Sequence, residues 1–129
     1  MKHILIADDD RLVGQGLGIL LTSVGYRVSY VESAAEAFFR IFDNCSPGNV
    51  AKVDLLILDI YFPHKGGLEL IEQLKEVQIE IPIIAISGFL TNDMARALKE
   101  KCMDFIEKPF ANTQILEKVQ KALGPLWKK

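Results

Sequence analysis

The sequence predicts a three-layer α/β sandwich, a single parallel sheet with helices on both faces. Three observations carry this. Five short apolar runs rich in Ile, Leu and Val recur at 3–7, 26–31, 54–58, 81–86 and 103–106, each of strand length and too short for a helix. Between them, apolar residues recur at helical spacing. The first, third and fourth runs are almost continuously apolar, as strands covered on both faces must be. Strict alternation of strand and helix then implies parallel strands joined by right-handed crossovers.

Each element can be justified in order. The first run ends at Asp8, Asp9 and Asp10, and the helix after it carries Val13, Leu17, Leu20, Leu21 and Val24 before Gly25 stops it. Ser33 follows the second run and caps the second helix. The stretch 43–54 clusters Pro, Gly, Ser and Asn without periodicity and reads as a long surface loop. The third run ends at Asp59, and its helix carries Leu68, Leu70, Ile71 and Leu74. After the fourth run, Thr91 or Asn92 is placed to cap a helix. The last helix carries Ile115, Leu116, Val119 and Leu123, and Gly124-Pro125 ends it. At 129 residues the chain is expected to form one domain, since about 150 residues is usual. Its expected limits are 1–124, with 125–129 a short tail.

Charge and composition exclude several functions. The 15 basic and 17 acidic residues leave a formal charge of −2, without the basic field that direct nucleic-acid or acidic-membrane binding requires. The longest apolar stretches, IPIIAI and LLIL, fall far short of the roughly 20 residues that cross a bilayer. Cys45 and Cys102 permit at most one bridge, and no leader precedes the first run. A soluble protein in the reducing cytoplasm is expected.

In an open parallel sheet, ligands bind beyond the carboxyl ends of the strands. Those ends carry Asp8, Asp9 and Asp10, then Asp59, Ser87 and Lys108. The second strand ends at Glu32 and Ser33, which are left outside the site as belonging to an edge strand. Helix capping accounts for Asp10. It does not account for two further carboxylates, which repel unless a cation neutralises them. With Asp59 they form an all-oxygen pocket suited to Mg2+ or Mn2+ rather than zinc, and neither His3 nor His64 has a companion for zinc. A carboxylate nucleophile, a divalent metal, a hydroxyl and an ammonium at one edge point to phosphoryl transfer.

These residues, in ILIADDD, in LLILDIYFP followed by Gly67, in IIAISG and in FIEKPF, resemble the receiver domain of two-component response regulators over essentially the whole chain. The resemblance implies a flavodoxin-like doubly wound sheet of order 2-1-3-4-5. It implies Asp59 as phosphoacceptor, Asp9 as a direct Mg2+ ligand, Asp8 as an outer or water-mediated one and the Tyr61 carbonyl as a further ligand. Ser87 matches the switch hydroxyl, Lys108 the lysine that pairs with the phosphoryl group, Pro109 a cis-proline and Phe105 the aromatic switch position. Apart from the resemblance, the Tyr61 ring, two residues beyond Asp59, is placed either to cover the phosphoryl group against water or to lie on the loop surface. The implied donor is a sensor histidine kinase or a histidine phosphotransfer protein. The implied output is a changed affinity for a downstream protein target or for an output domain outside this chain, with phosphorylation-dependent dimerisation allowed. Such a protein modifies itself and is not a conventional enzyme.

The sequence departs from the family pattern in places. Phe105 lacks the hydroxyl of the common tyrosine, Gly66 stands where an acidic or amide residue is frequent, Cys102 stands where alanine is usual and reads as a small buried hydrophobe, and the loop at 43–54 is long. Three rival readings compete with this one. A haloacid-dehalogenase-like phosphatase would use Asp8 and Asp10 but finds Leu12 where it needs threonine and leaves Asp59 without a role. A nucleotide-binding module would use Gly14, Gly16 and Gly18, but Ile19 replaces the last glycine and the three aspartates would repel a pyrophosphate; close helix packing explains those glycines better. A receiver working as a binding module without phosphorylation is opposed by the complete acidic, hydroxyl and lysine set. Only LGPLWKK follows the last helix, so the sequence is expected to be a stand-alone receiver or a piece of a larger regulator.

Overall fold

The computed structural model describes residues 1–60, 66–88, 92–101 and 104–124. Its elements alternate as β1 (His3–Ala7), α1 (Arg11–Ser23), β2 (Arg27–Val31), α2 (Ala34–Asp43), β3 (Leu55–Asp59), α3 (Gly67–Glu76), β4 (Ile83–Ser87), α4 (Asn92–Lys101), β5 (Asp104–Glu107) and α5 (Asn112–Leu123). All neighbouring strands pair in parallel, in the order β2-β1-β3-β4-β5, as the family resemblance implied. Every residue of β1, β3 and β4 is buried. Side chains alternate between two cores because successive strand residues point to opposite faces. Leu5, Leu56, Leu58 and Ala85 join Ala37, Ile41, Leu70, Ile71 and Leu74 of α2 and α3. Ile4, Ile6, Ile57, Ile84 and Ile86 join Leu17, Leu21, Ile115 and Val119 of α1 and α5. These are the three expected layers, and no helix among the described residues is long and apolar enough to cross a membrane.

The predicted punctuation is present around α1 and α2 and at Gly124. The Asp10 carboxylate accepts from the Leu12 and Val13 amides at 3.0 and 3.4 Å, and the Ser33 hydroxyl accepts from the Glu36 amide at 3.1 Å. Gly25 and Gly124 take φ of +104° and +83° after α1 and α5, a region that glycine enters without a Cβ penalty. Asn92 is the first helical residue of α4 rather than its cap. Thr91, Cys102, the start of the 103–106 run, His64 and the tail 125–129 lie outside the described residues. The third and fourth strands each run one residue past their apolar runs, because the ladder continues through Asp59, opposite Ile86, and Ser87, opposite Glu107. The two polar residues are thereby fixed by the sheet itself.

The loop at 43–54 is pinned to the sheet. His3 is buried, and its Nδ1 lies 3.1 and 3.2 Å from the carbonyl oxygens of Ala51 and Lys52. Since a carbonyl only accepts, Nδ1 carries the proton, and in the neutral ring Ser29 donates to Nε2 across 2.8 Å. The Arg27 guanidinium donates to the Val50 carbonyl at 2.6 Å. Cys45 in this loop is exposed and free.

Candidate functional site

The order of the sheet reverses at β1 and β3, whose crossovers leave toward opposite faces and open a crevice beyond their carboxyl ends. Asp8 follows β1 directly and exposes none of its surface; Asp59 closes β3 with 5% exposed. Asp9 is exposed. These three carboxylates each offer an oxygen within 4.8 Å of the others, a cluster that could hold a metal ion. From the end of β5, the Lys108 Nζ reaches Asp59 Oδ2 at 3.1 Å and Asp8 Oδ2 at 3.3 Å. The Lys108 amide donates to the Ser87 carbonyl at 2.7 Å, which holds the end of β4 against it. Ser87 is itself buried. The Lys108–Pro109 peptide is cis, as the resemblance implied.

Burial sets the electrostatics. Removal from water pushes the Asp8 carboxyl up to about 6; the Asp10 amide opposes this, a hydrogen bond and the charge of Asp59 add to it, and Lys108 opposes it. For Lys108, burial alone would lower the ammonium's pKa. The hydrogen bond and charge of Asp59, then those of Asp8, outweigh burial and raise it. Among the described residues, three clustered carboxyl groups thus face one ammonium.

Asp10 turns away to cap α1, which leaves Asp8 and Asp9 as the pair that serves the pocket. Glu32 lies at the surface and pairs with Arg11 at 2.9 Å, so the end of the second strand stays outside the cluster. That strand nevertheless reaches the site through a residue the sequence did not single out: the Tyr30 hydroxyl donates to the Asp8 main-chain oxygen at 2.6 Å. Burial first, then the charges of Glu32 and Asp8, raises the Tyr30 pKa and keeps that proton in place. A glycine at position 14 facing a tyrosine on the next strand is the only sequence signal, and it becomes visible only once the strands are in register. A Cβ at Gly14 would overlap the Tyr30 ring, whereas Gly16 meets open space and Gly18 touches only Val28. Close packing therefore explains Gly14 alone.

Gly67 has a similar cause. A Cβ there would stand 3.0 Å from the Asp59 carbonyl oxygen and from the Leu58 side chain, and the Gly67 amide donates to the Ile60 carbonyl at 2.9 Å. The start of α3 is thereby drawn against the strand that carries Asp59. Gly66, which departs from the family pattern, is the N-cap of α3 and makes no side-chain cap bond. Phe105 is half-buried in β5 and packs against the α2–α3 core. Tyr61, with its expected carbonyl ligand and its ring, lies outside the described residues.

The model of the response regulator receiver domain family matches residues 4–120. The chain belongs to that family. Among curated relatives it is 36% identical over 118 residues to the transcriptional regulatory protein FixJ of Rhizobium meliloti, covering 91% of this chain and 54% of FixJ. It is 38% identical over 121 residues to the response regulator protein TodT of Pseudomonas putida, covering 93% of this chain and 50% of TodT. The receiver thus spans about half the length of these relatives. Among solved structures, a CheY-like receiver domain protein from Methanospirillum hungatei superposes with a TM-score of 0.81 at 26% identity, covering 95% of this chain and 94% of that one. The response regulator TrrA from Thermotoga maritima, solved in complex with Mg2+ and BeF, superposes with a TM-score of 0.80 at 26% identity, covering 95% and 99%. Receiver domains are signalling switches, and neither the phosphatase nor the nucleotide-binding reading matches the family found.

Proposed function

We propose that this receiver accepts a phosphoryl group onto Asp59 from a phosphohistidine of a sensor histidine kinase or histidine phosphotransfer protein, with Mg2+ bound and Mn2+ able to replace it. The observation that carries this is the convergence of Asp8, Asp9 and Asp59 within 4.8 Å around one lysine that touches two of them. The donor set fits the ion: among the described residues it offers hard carboxylate oxygens and no soft ligand. The relative TrrA was solved with Mg2+ in place. In this reading exposed Asp9 would hold the ion directly, buried Asp8 would act through water, and Asp59 and the Tyr61 carbonyl would complete the protein ligands.

A bound divalent cation supplies neutralisation of the carboxylates and of the charge that spreads over the phosphoryl oxygens in the transition state. The remaining work belongs to the chain. An oxygen of Asp59 attacks phosphorus, the new O–P bond forms as the P–N bond to the donor imidazole breaks, and the imidazole leaves with the electron pair and takes a proton from water. Lys108, already paired with the Asp59 carboxylate, follows the charge onto the phosphoryl oxygens. Ser87, fixed at the end of β4, is drawn to the same group. Phosphorylation adds charge and acceptor oxygens, and the face built from α4, β5 and α5, with half-buried Phe105, repacks as the switch. The output is a changed affinity for a downstream protein, an output domain or a second copy of the receiver in the cytoplasm.

Intact mass after incubation with acetyl phosphate tests this. A single phosphoryl adduct is expected in the presence of Mg2+ and not in chelator, and none in Asp59→Ala. An adduct that persists in Asp59→Ala, or that maps to Asp8 or Asp10, overturns it.

A further inference from the structure

Tyr30 brings the edge strand β2 to a site built otherwise from β1, β3, β4 and β5. Its hydroxyl donates to the Asp8 carbonyl at 2.6 Å, at the head of the turn that presents Asp8, Asp9 and Asp10. The same turn is held by the Asp8 amide on the Val31 carbonyl at 3.2 Å and by the Asp10 amide on Asp8 Oδ1 at 2.8 Å. The ring in turn occupies space that Gly14 vacates, since a Cβ there would overlap Cδ1, Cε1 and Cζ. Two independent features, an absent side chain on α1 and a hydroxyl on β2, therefore converge on one backbone oxygen.

Resting on the metal reading above, we infer that Tyr30 is a positioning residue whose hydroxyl holds the β1–α1 turn so that Asp8 and Asp9 face Asp59 before a divalent cation binds. Asp9 is exposed, so burial does little to order it, and its place depends on the turn that bears it. Order that is not built into the free protein must be supplied out of binding energy. A neutral hydrogen bond of ordinary net strength corresponds to about two- to tenfold in affinity. If Tyr30 only filled space beside α1, loss of its hydroxyl would lower the stability of the fold and leave the affinity for metal untouched.

Calorimetric titration of the full 129-residue chain with Mg2+ separates these cases, using wild type, Tyr30→Phe, Gly14→Ala, their double variant and Asp9→Asn. Tyr30→Phe keeps the ring and is expected to raise the Mg2+ Kd about two- to tenfold. Phosphorylation by acetyl phosphate should slow at limiting Mg2+ and recover at saturating Mg2+. Gly14→Ala, which displaces the ring, should give the same loss, and the double variant should lose no more than either single one. An unchanged Kd in Tyr30→Phe, whatever its melting temperature, overturns the inference, and that variant decides the matter if Gly14→Ala fails to fold. Mg2+ bound by wild type and weakened in Asp9→Asn but not in Tyr30→Phe would sink this inference alone. Equal Mg2+ binding by wild type and Asp9→Asn would sink the metal reading and this inference with it.

Discussion

Asp8 and Asp9 are adjacent and chemically identical, yet the fold gives them opposite properties. Asp9 remains in water, while Asp8 is wholly buried and its carboxyl is pushed up to about 6 from 3.8 by that burial, with the Asp10 amide and Lys108 resisting and Asp59 adding. A folded pKa above the unfolded one means that the native state favours neutral Asp8. Its stabilising contribution is complete below pH 3.8 and is lost as the pH rises through about 6. At pH 7 the metal-free protein therefore holds Asp8 ionised at a cost of about 1–3 kcal/mol. Asp8→Asn should raise the melting temperature of the metal-free protein at pH 7, and by clearly less at pH 5, where the wild-type carboxyl is already largely protonated. Saturating Mg2+ should erase the gain, because wild type then draws on binding energy that the variant lacks. Thermal melts in chelator at the two pH values check this; a gain equal at both would show that ionisation of Asp8 is not its cause.

At the scale of a single helix, two of the three glycines of α1, two residues apart, make opposite demands. Gly16 meets nothing within 4 Å, whereas a Cβ on Gly14 would enter the Tyr30 ring. Alanine favours a helix over glycine by about 1 kcal/mol at either position. Gly16→Ala should therefore stabilise the chain by about 0.5–1 kcal/mol. Gly14→Ala should destabilise it by about 1–3 kcal/mol, since overpacking outweighs the same propensity gain. Urea midpoints at constant m measure both, and two shifts of the same sign would refute the packing account. The sequence shows only Gly-x-Gly-x-Gly and cannot rank these positions, because the distinction lies in what β2 places opposite each one. The strands were legible for a physical reason: β1, β3 and β4 are covered on both faces and so are apolar at nearly every position. Asp59, Ser87 and Lys108 were legible because each breaks or follows such a run. Tyr30 and His3 were not, because most of their hydrogen bonds go to main-chain carbonyls, which every residue possesses and no side-chain pattern marks.

Over the whole molecule, Lys108 closes the fold through ion pairs to Asp8, 100 residues away in the chain, and to Asp59, 49 residues away. No unfolded chain keeps these groups together, so the negative charge of the site is compensated only when the first, third and fifth strands are assembled. Lys108 contributes to that compensation, and it pairs with Asp8 and Asp59, two of the three carboxylates that could hold a metal ion. A divalent cation held by that cluster would be opposed by the charge of the ammonium. Removing the ammonium while keeping its apolar stem, as in Lys108→Met, takes an ion-pair partner from Asp8 and from Asp59. The metal-free fold should lose about 1–3 kcal/mol, less than a fully buried pair would cost because 22% of the lysine side chain remains exposed. The same variant should bind Mg2+ more tightly than wild type, since the ammonium of Lys108 no longer resists the incoming charge. The melting temperatures of the two proteins should accordingly converge as Mg2+ is raised, with Lys108→Met showing the larger metal-induced increase, while its phosphorylation by acetyl phosphate stays slow even at saturating metal. Melts across a Mg2+ series measure both slopes at once. A constant offset between the curves would mean that Lys108 supports the fold without contesting the metal site, and the ion pair would then have to be read as structural alone.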